Sequence, residues 1–145
     1  AYAEMMTNIR LNNMENRITP INAAIGSRQG TIKIPINTDT ISTMGTYHRS
    51  ENTNGIEIPI ITLKQLIRDY NIEPEILKMD CEGCEYDVIL NDYENVKAFK
   101  ELVIEIHQDE SSQKKMLNSL SIDYTCITKT TLSKYLKIIH CIRMW

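Results

Sequence analysis

An α/β domain on a mostly parallel sheet is the fold class that this sequence predicts, and three observations predict it. Ile76–Asp80 and Leu102–His107 are short, nearly continuous apolar runs of strand length. After Gly83, Tyr86, Ile89 and Leu90 recur at helical spacing between those runs. Apolar strands separated by helices are those of a parallel sheet covered on both faces. The third observation is size. With 145 residues, 42% hydrophobic and 24% charged, the chain is one domain with a real core.

The elements follow in order. Tyr2, Met5, Met6 and Ile9 share one helical face, so residues 1–13 read as an amphipathic helix ending at Asn12-Asn13. No capping residue precedes it and Ala1 is not an initiator methionine, so the domain is expected to be incomplete at its N-terminus. Ile18–Ile25 and Thr31–Pro35 are strand candidates joined through Gly26 and Gly30. Residues 36–55, rich in Asn, Thr, Ser and Gly, read as a loop carrying Tyr47, His48 and Arg49, longer than a compact domain tolerates without purpose. Ile56–Ile60 is a short strand. Thr62-x-x-Gln65 is a capping-box pattern ahead of Leu63, Leu66, Ile67 and Tyr70 at helical spacing. Ile76–Asp80, the helix after Gly83, Leu102–His107 and a helix over Ser111–Leu120 come next. Tyr124–Thr128 and Leu136–Ile142 read as a terminal antiparallel strand pair.

A net charge of −3 argues against nucleic acid or an anionic membrane as partner. No apolar run reaches the roughly 18 residues of a membrane span, and no signal peptide opens the chain. With nothing marking secretion, Cys81, Cys84, Cys126 and Cys141 read as reduced thiols of a cytoplasmic protein. Cys81 and Cys84 form a C-x-x-C between a strand and a helix, where a redox dithiol would sit. Glu82 and Glu85 beside it raise a thiol pKa, which works against that use. Packing as small hydrophobes is the preferred reading; redox and metal roles stay open.

Chemistry is expected where strands end, since ligands of open parallel sheets bind outside the carboxyl ends. Two runs end there in polar residues, Asp80-Cys81-Glu82-Gly83-Cys84-Glu85 and Glu105-Ile106-His107. Alternate residues share a face, so Asp80 with Glu82, and Glu105 with His107, would face one crevice if the strands are neighbours. Each has a plainer reading. Asp80 is a good helix cap, and Glu82 and Glu85 would complement a helix dipole. His107 would merely close a strand. Glu105 is harder to dismiss, because a carboxylate flanked by Ile104 and Ile106 is costly unless paired. The amides that open the helix after Gly83 could hold an anion or a carboxylate.

Ile76-Leu77-Lys78-Met79-Asp80-Cys81-Glu82-Gly83-Cys84-Glu85 closely resembles the L-K-x-D-x-E-G-x-E signature of the FkbM family of methyltransferases. Leu102–His107 is similar to that family's next strand with its terminal E-x-H. Asn8–Asn13 and Ile21–Gly26 resemble its preceding helix and third strand, and Thr62-Leu63 its entry into the signature. The resemblance covers roughly residues 5–110.

It implies a class I methyltransferase (Rossmann-like) fold that uses S-adenosylmethionine to methylate a hydroxyl of a small molecule or glycan. Ala23, Asp80 and Cys81 would border the cofactor. His107 or Glu82 would take the hydroxyl proton, with Glu105 orienting the histidine or the acceptor, and the 36–55 loop would cover the acceptor. No resident metal is assigned, although Asp80, Glu105 and His107 would suit a divalent ion. The family's glycine-rich loop has no counterpart, since no G-x-G occurs, and neither has its ribose-holding acid. The strand Ile18–Ile25 would then lack an inner neighbour, leaving an unpaired edge. A non-catalytic, partner-binding remnant and a thiol-redox module are the competing readings.

Overall fold

The computed structural model describes residues 2–35, 55–81, 83–107, 109–133 and 136–145. Their order is α1 (Tyr2–Leu11), β1 (Ala24–Ile25), β2 (Gly30–Pro35), β3 (Gly55–Ile61), α2 (Leu63–Asp69), β4 (Ile76–Met79), α3 (Cys84–Asn91), α4 (Tyr93–Val96), β5 (Glu101–Ile106), α5 (Glu110–Leu120), β6 (Tyr124–Ser133) and β7 (Leu136–Arg143). Apart from the added turn of α4, this is the order that the sequence predicts. The predicted loop with Tyr47, His48 and Arg49 lies outside the described residues.

Two sheets form. One has the order β1-β3-β2 and the other β4-β5-β7-β6. β4 and β5 are adjacent and parallel, with Ile76 opposite Glu101 and Met79 opposite Ile104, as expected from the helices between them. β1 also pairs parallel with β3, through Ala24–Ile60 and Ile25–Ile61. The remaining ladders, β2–β3, β5–β7 and β6–β7, are antiparallel. The architecture is therefore mixed α/β, which corrects the expectation of a mostly parallel Rossmann-like sheet. The antiparallel β6–β7 pair was expected; the departure lies in the antiparallel β2–β3 and β5–β7 ladders and in the division into two sheets.

One strand boundary and one buried helix face differ from the expectation. The strand expected over Ile18–Ile25 is reduced to Ala24–Ile25. Pro20 lacks an N–H for a ladder, so pairing starts beyond it. In α3 the buried residues are Glu85, Val88 and Ile89, while Tyr86 and Leu90 are half-buried. In α2 the capping box forms as predicted. The Thr62 hydroxyl accepts from the Gln65 N–H at 3.3 Å, and the Thr62 N–H donates to Gln65 Oε1 at 3.0 Å.

The core is built from α3 and one face of β5. Leu102, Ile104 and Ile106 alternate inward from β5 and pack with Met79, Val88, Ile89, Val96, Met116, Leu120 and Ile139. Tyr124 is buried among them and donates to the carbonyls of Phe99 (2.7 Å) and Val96 (3.0 Å). Ile25, Leu66 and Ile67 close over this cluster from the first sheet and α2. β5 is thus covered on one face only. Its other face carries Glu101, Val103 and Glu105, all half-buried, so Glu105 escapes the full burial that its apolar neighbours suggested.

The cysteines depart from the reduced state expected of them. Cys81 is joined to Cys84, and Cys126 to Cys141. Register explains the second pair, since Cys126 stands directly opposite Cys141 on neighbouring antiparallel strands. The turn at Gly83 explains the first, bringing the two Cα atoms to 5.5 Å. Packing holds as well, because Cys141 is fully buried and the other three line the core.

Candidate functional site

β4 ends at Met79, which is buried, and Asp80 emerges beyond it. β5 ends one strand over at Ile106, followed by His107. The parallel register therefore delivers Asp80, Glu105 and His107 to one end of the sheet. One ligand-capable atom from each lies within 4.8 Å of the others. Three of the four predicted catalytic residues are brought together; the fourth, Glu82, lies outside the described residues. Asp80 does not cap α3. The N-cap is Gly83, with no side-chain hydrogen bond, and Asp80 instead lies 3.5 Å from the Lys78 ammonium.

Glu85 is the residue that sequence reasoning undervalued. It sits in the first turn of α3 and is 1% exposed. Its carboxylate turns back and accepts from the N–H groups of Cys81 and Gly83, both at 2.8 Å. Gly83 makes this possible. Its φ of 122° lies in the region that side chains disfavour, and it turns the chain so that both amides converge. These two amides belong to the turn ahead of α3 and are taken by the chain's own carboxylate; they are not the amides that open the helix, where the anion site was expected. A signal existed: an acid two residues past a glycine turn can reach back as capping-box acids do.

Glu85 also reaches across to β5. Its Oε1 lies 3.4 Å from His107 Nδ1, while His107 Nε2 lies 3.5 Å from Glu105 Oε1. The imidazole, 16% exposed, is thus held between a buried carboxylate and a half-exposed one. Glu85 approaches Nδ1 as an ion-pair partner without a formed hydrogen bond, and Nε2 faces Glu105. Such an arrangement can accept a proton or bind a cation.

Two residues on, Asp87 ties α3 to the loop after β1. It accepts from the Ser27 N–H (2.9 Å), the Ser27 hydroxyl (3.0 Å) and the Asn91 amide (2.8 Å). Partial burial would raise its pKa. The Ser27 backbone bond, followed by the Asn91 and Ser27 side-chain bonds and the Arg28 charge, outweighs that and holds the carboxyl below its usual range. Of the predicted cofactor-bordering residues, Asp80 and Cys81 follow β4, whereas Ala23 precedes β1 in the other sheet. A groove of about 570 Å³ runs along α1, lined by Met5, Ile9, Met14 and Ile18, away from this cluster.

A family model described as the methyltransferase FkbM domain matches residues 1–132. The chain belongs to the FkbM methyltransferase family. The match covers the three-stranded sheet, β4, β5 and most of β6, so it contains the Asp80–Glu105–His107 cluster of this FkbM domain, while β7, which pairs with β5, lies beyond it. Comparison with curated proteins gave no significant match, and comparison with solved structures gave none either. No helix among the described residues is long and apolar enough to cross a membrane.

Proposed function

We propose that this FkbM domain is an S-adenosylmethionine-dependent O-methyltransferase whose acceptor, a hydroxyl of a small molecule or glycan, is activated at Asp80, Glu105 and His107. The observation that carries the reading is the convergence of these three groups at the ends of β4 and β5. When bound, S-adenosylmethionine supplies a methyl group on a positively charged sulfur. A hydroxyl is a poor nucleophile until it gives up its proton, and the cluster is where that proton is lost. Glu85 holds the imidazole, Glu105 balances positive charge on it, and Asp80 faces solvent beside them for hydrogen bonding to cofactor or acceptor.

The fit of the cofactor to these residues is one-sided. Asp80 is available, but the Cys81 and Gly83 amides are committed to Glu85, and no G-x-G turn exists among the 145 residues. Asp80, Cys81 and Ala23 would border the group rather than cradle it. The test follows tritium from methyl-labelled S-adenosylmethionine into a panel of sugars and polyols, using the native protein. Label in an ether methyl is the expected result. Label appearing only on nitrogen or carbon acceptors would overturn the reading.

A thiol-redox function has one observation on its side, the joined Cys81–Cys84 pair ahead of α3. It would require turnover with dithiols that survives His107→Ala and is abolished by Cys81→Ala.

A further inference from the structure

We propose that Asp80, Glu105 and His107 form a binding site for one divalent first-row metal cation, with Glu85 as the carboxylate that orients the histidine ligand. Ligand atoms around such an ion stand about 2.0–2.2 Å from it, so opposite ligands lie up to about 4.4 Å apart. The three side chains offer atoms within 4.8 Å of one another, and a small rotation about χ angles closes the difference.

The second observation is the histidine's support. Metal-bound imidazoles characteristically give their other ring nitrogen to a carboxylate, which fixes tautomer and direction. Glu85 stands where that partner belongs, with Oε1 3.4 Å from Nδ1. It is 1% exposed and is itself held by two backbone amides. The opposite nitrogen, Nε2, faces Glu105 at 3.5 Å.

The ligand set and its exposure define the ion. One imidazole and two carboxylates suit Mn²⁺, Fe²⁺ or Zn²⁺ better than the all-oxygen shells of calcium sites. Three protein ligands at an accessible strand end leave coordination positions open, the mark of a catalytic rather than a structural site. The Lys78 ammonium, 3.5 Å from Asp80 and itself 68% exposed, is the cation that an ion would displace. A hydroxyl bound at an open position would become more acidic. That use rests on the methyltransferase reading, whereas ion binding itself does not.

The experiment therefore needs neither cofactor nor acceptor. The metal-free 145-residue chain is titrated with MnCl₂, and free Mn²⁺ is read from its electron paramagnetic resonance signal. We expect saturable uptake of one Mn²⁺ per chain. Asp80→Asn, Glu105→Gln and His107→Ala should each weaken uptake at least tenfold. Glu85→Gln, which keeps all three ligands, should weaken it by about 10–100-fold. His140→Ala removes a comparable imidazole–carboxylate pair, His140 Nε2 to Glu101 at 2.9 Å, and should leave uptake unchanged. Circular dichroism checks that each variant is folded. No uptake by folded wild-type chain at about 1 mM Mn²⁺ overturns the proposal. So does uptake that survives both Asp80→Asn and His107→Ala. Label transfer to hydroxyls without Mn²⁺ uptake would leave the proposed function standing and remove the ion.

Discussion

The imidazole of His107 lies between Glu85 and Glu105, and its removal should cost the native protein methyl transfer more than it costs cofactor binding. We expect His107→Ala to lower the transfer rate by about 100-fold or more, the scale of losing a group that handles a proton. Cofactor affinity should stay nearly intact, because His107 follows β5 and, in the proposed function, acts on the acceptor's proton. Asp80→Asn should lower both. Labelled-methyl transfer and calorimetry read the two effects; near-normal turnover of His107→Ala would move the proton to another group. Asp87 carries a second prediction at this scale. Its folded carboxyl is held below the unfolded value of about 3.9, so its bonds to Ser27 stabilise the fold fully above that pH. The contribution is lost as pH falls through the folded pKa. Thermal melts from about pH 5 downward should therefore be flatter for Asp87→Asn than for the wild type. Asp80, Glu105 and His107 were legible in the sequence because polar residues closing apolar runs mark strand ends. Glu85 was not. Its direction depends on the positive φ of Gly83, which a residue pattern does not reveal.

At the scale of elements, α2 is the clearest case of sequence dictating structure. Thr62-x-x-Gln65 satisfies two N–H groups that the first turn would otherwise leave open. Thr62→Ala should destabilise the domain by about 1 kcal/mol, with chemical denaturation showing a shifted midpoint and an unchanged slope. A shift no larger than that of an exposed control, Lys64→Ala, would count against the cap. β4 and β5 were legible as a parallel pair because a helix separates them. β1 was read too long, because Pro20, which has no N–H for a ladder, lies inside the expected strand. α5 was read nearly to its bounds, and Asp109 supplies the cap that the reading lacked, accepting from Ser111 and Ser112.

For the molecule as a whole, partner choice among strands was the part hidden from the sequence. Antiparallel pairing of β5 with β7 joins residues far apart in the chain, such as Glu101 with Ile142, and no local pattern states that register. The cysteine pairings depend on the same long-range register. Unfolded in denaturant without reductant, the protein should show no free thiol with Ellman's reagent, and all four after reduction. Four thiols before reduction would instead match the reduced, cytoplasmic state that the sequence suggested. Reduction should also lower stability. Cys126 and Cys141 are 15 residues apart, and closing a loop of that length contributes about 3 kcal/mol in the chain-entropy account. Cofactor affinity is likewise a property of the whole chain. These 145 residues should bind S-adenosylmethionine weakly, since they contain no G-x-G turn, and a micromolar dissociation constant by calorimetry would contradict that.

The bond between Ser27 and Asp87 makes α3 a lever. Its near end carries Glu85 against His107, and two residues on, about 3 Å along the axis, it is latched to the loop between β1 and β2. A helix is stiff over such a distance, so a tilt imposed at Ser27 arrives at the imidazole almost undiminished. A grip on the three-stranded sheet at Ser27 would consequently bear on the end of the four-stranded one that carries His107, through two carboxylates and half a turn of backbone.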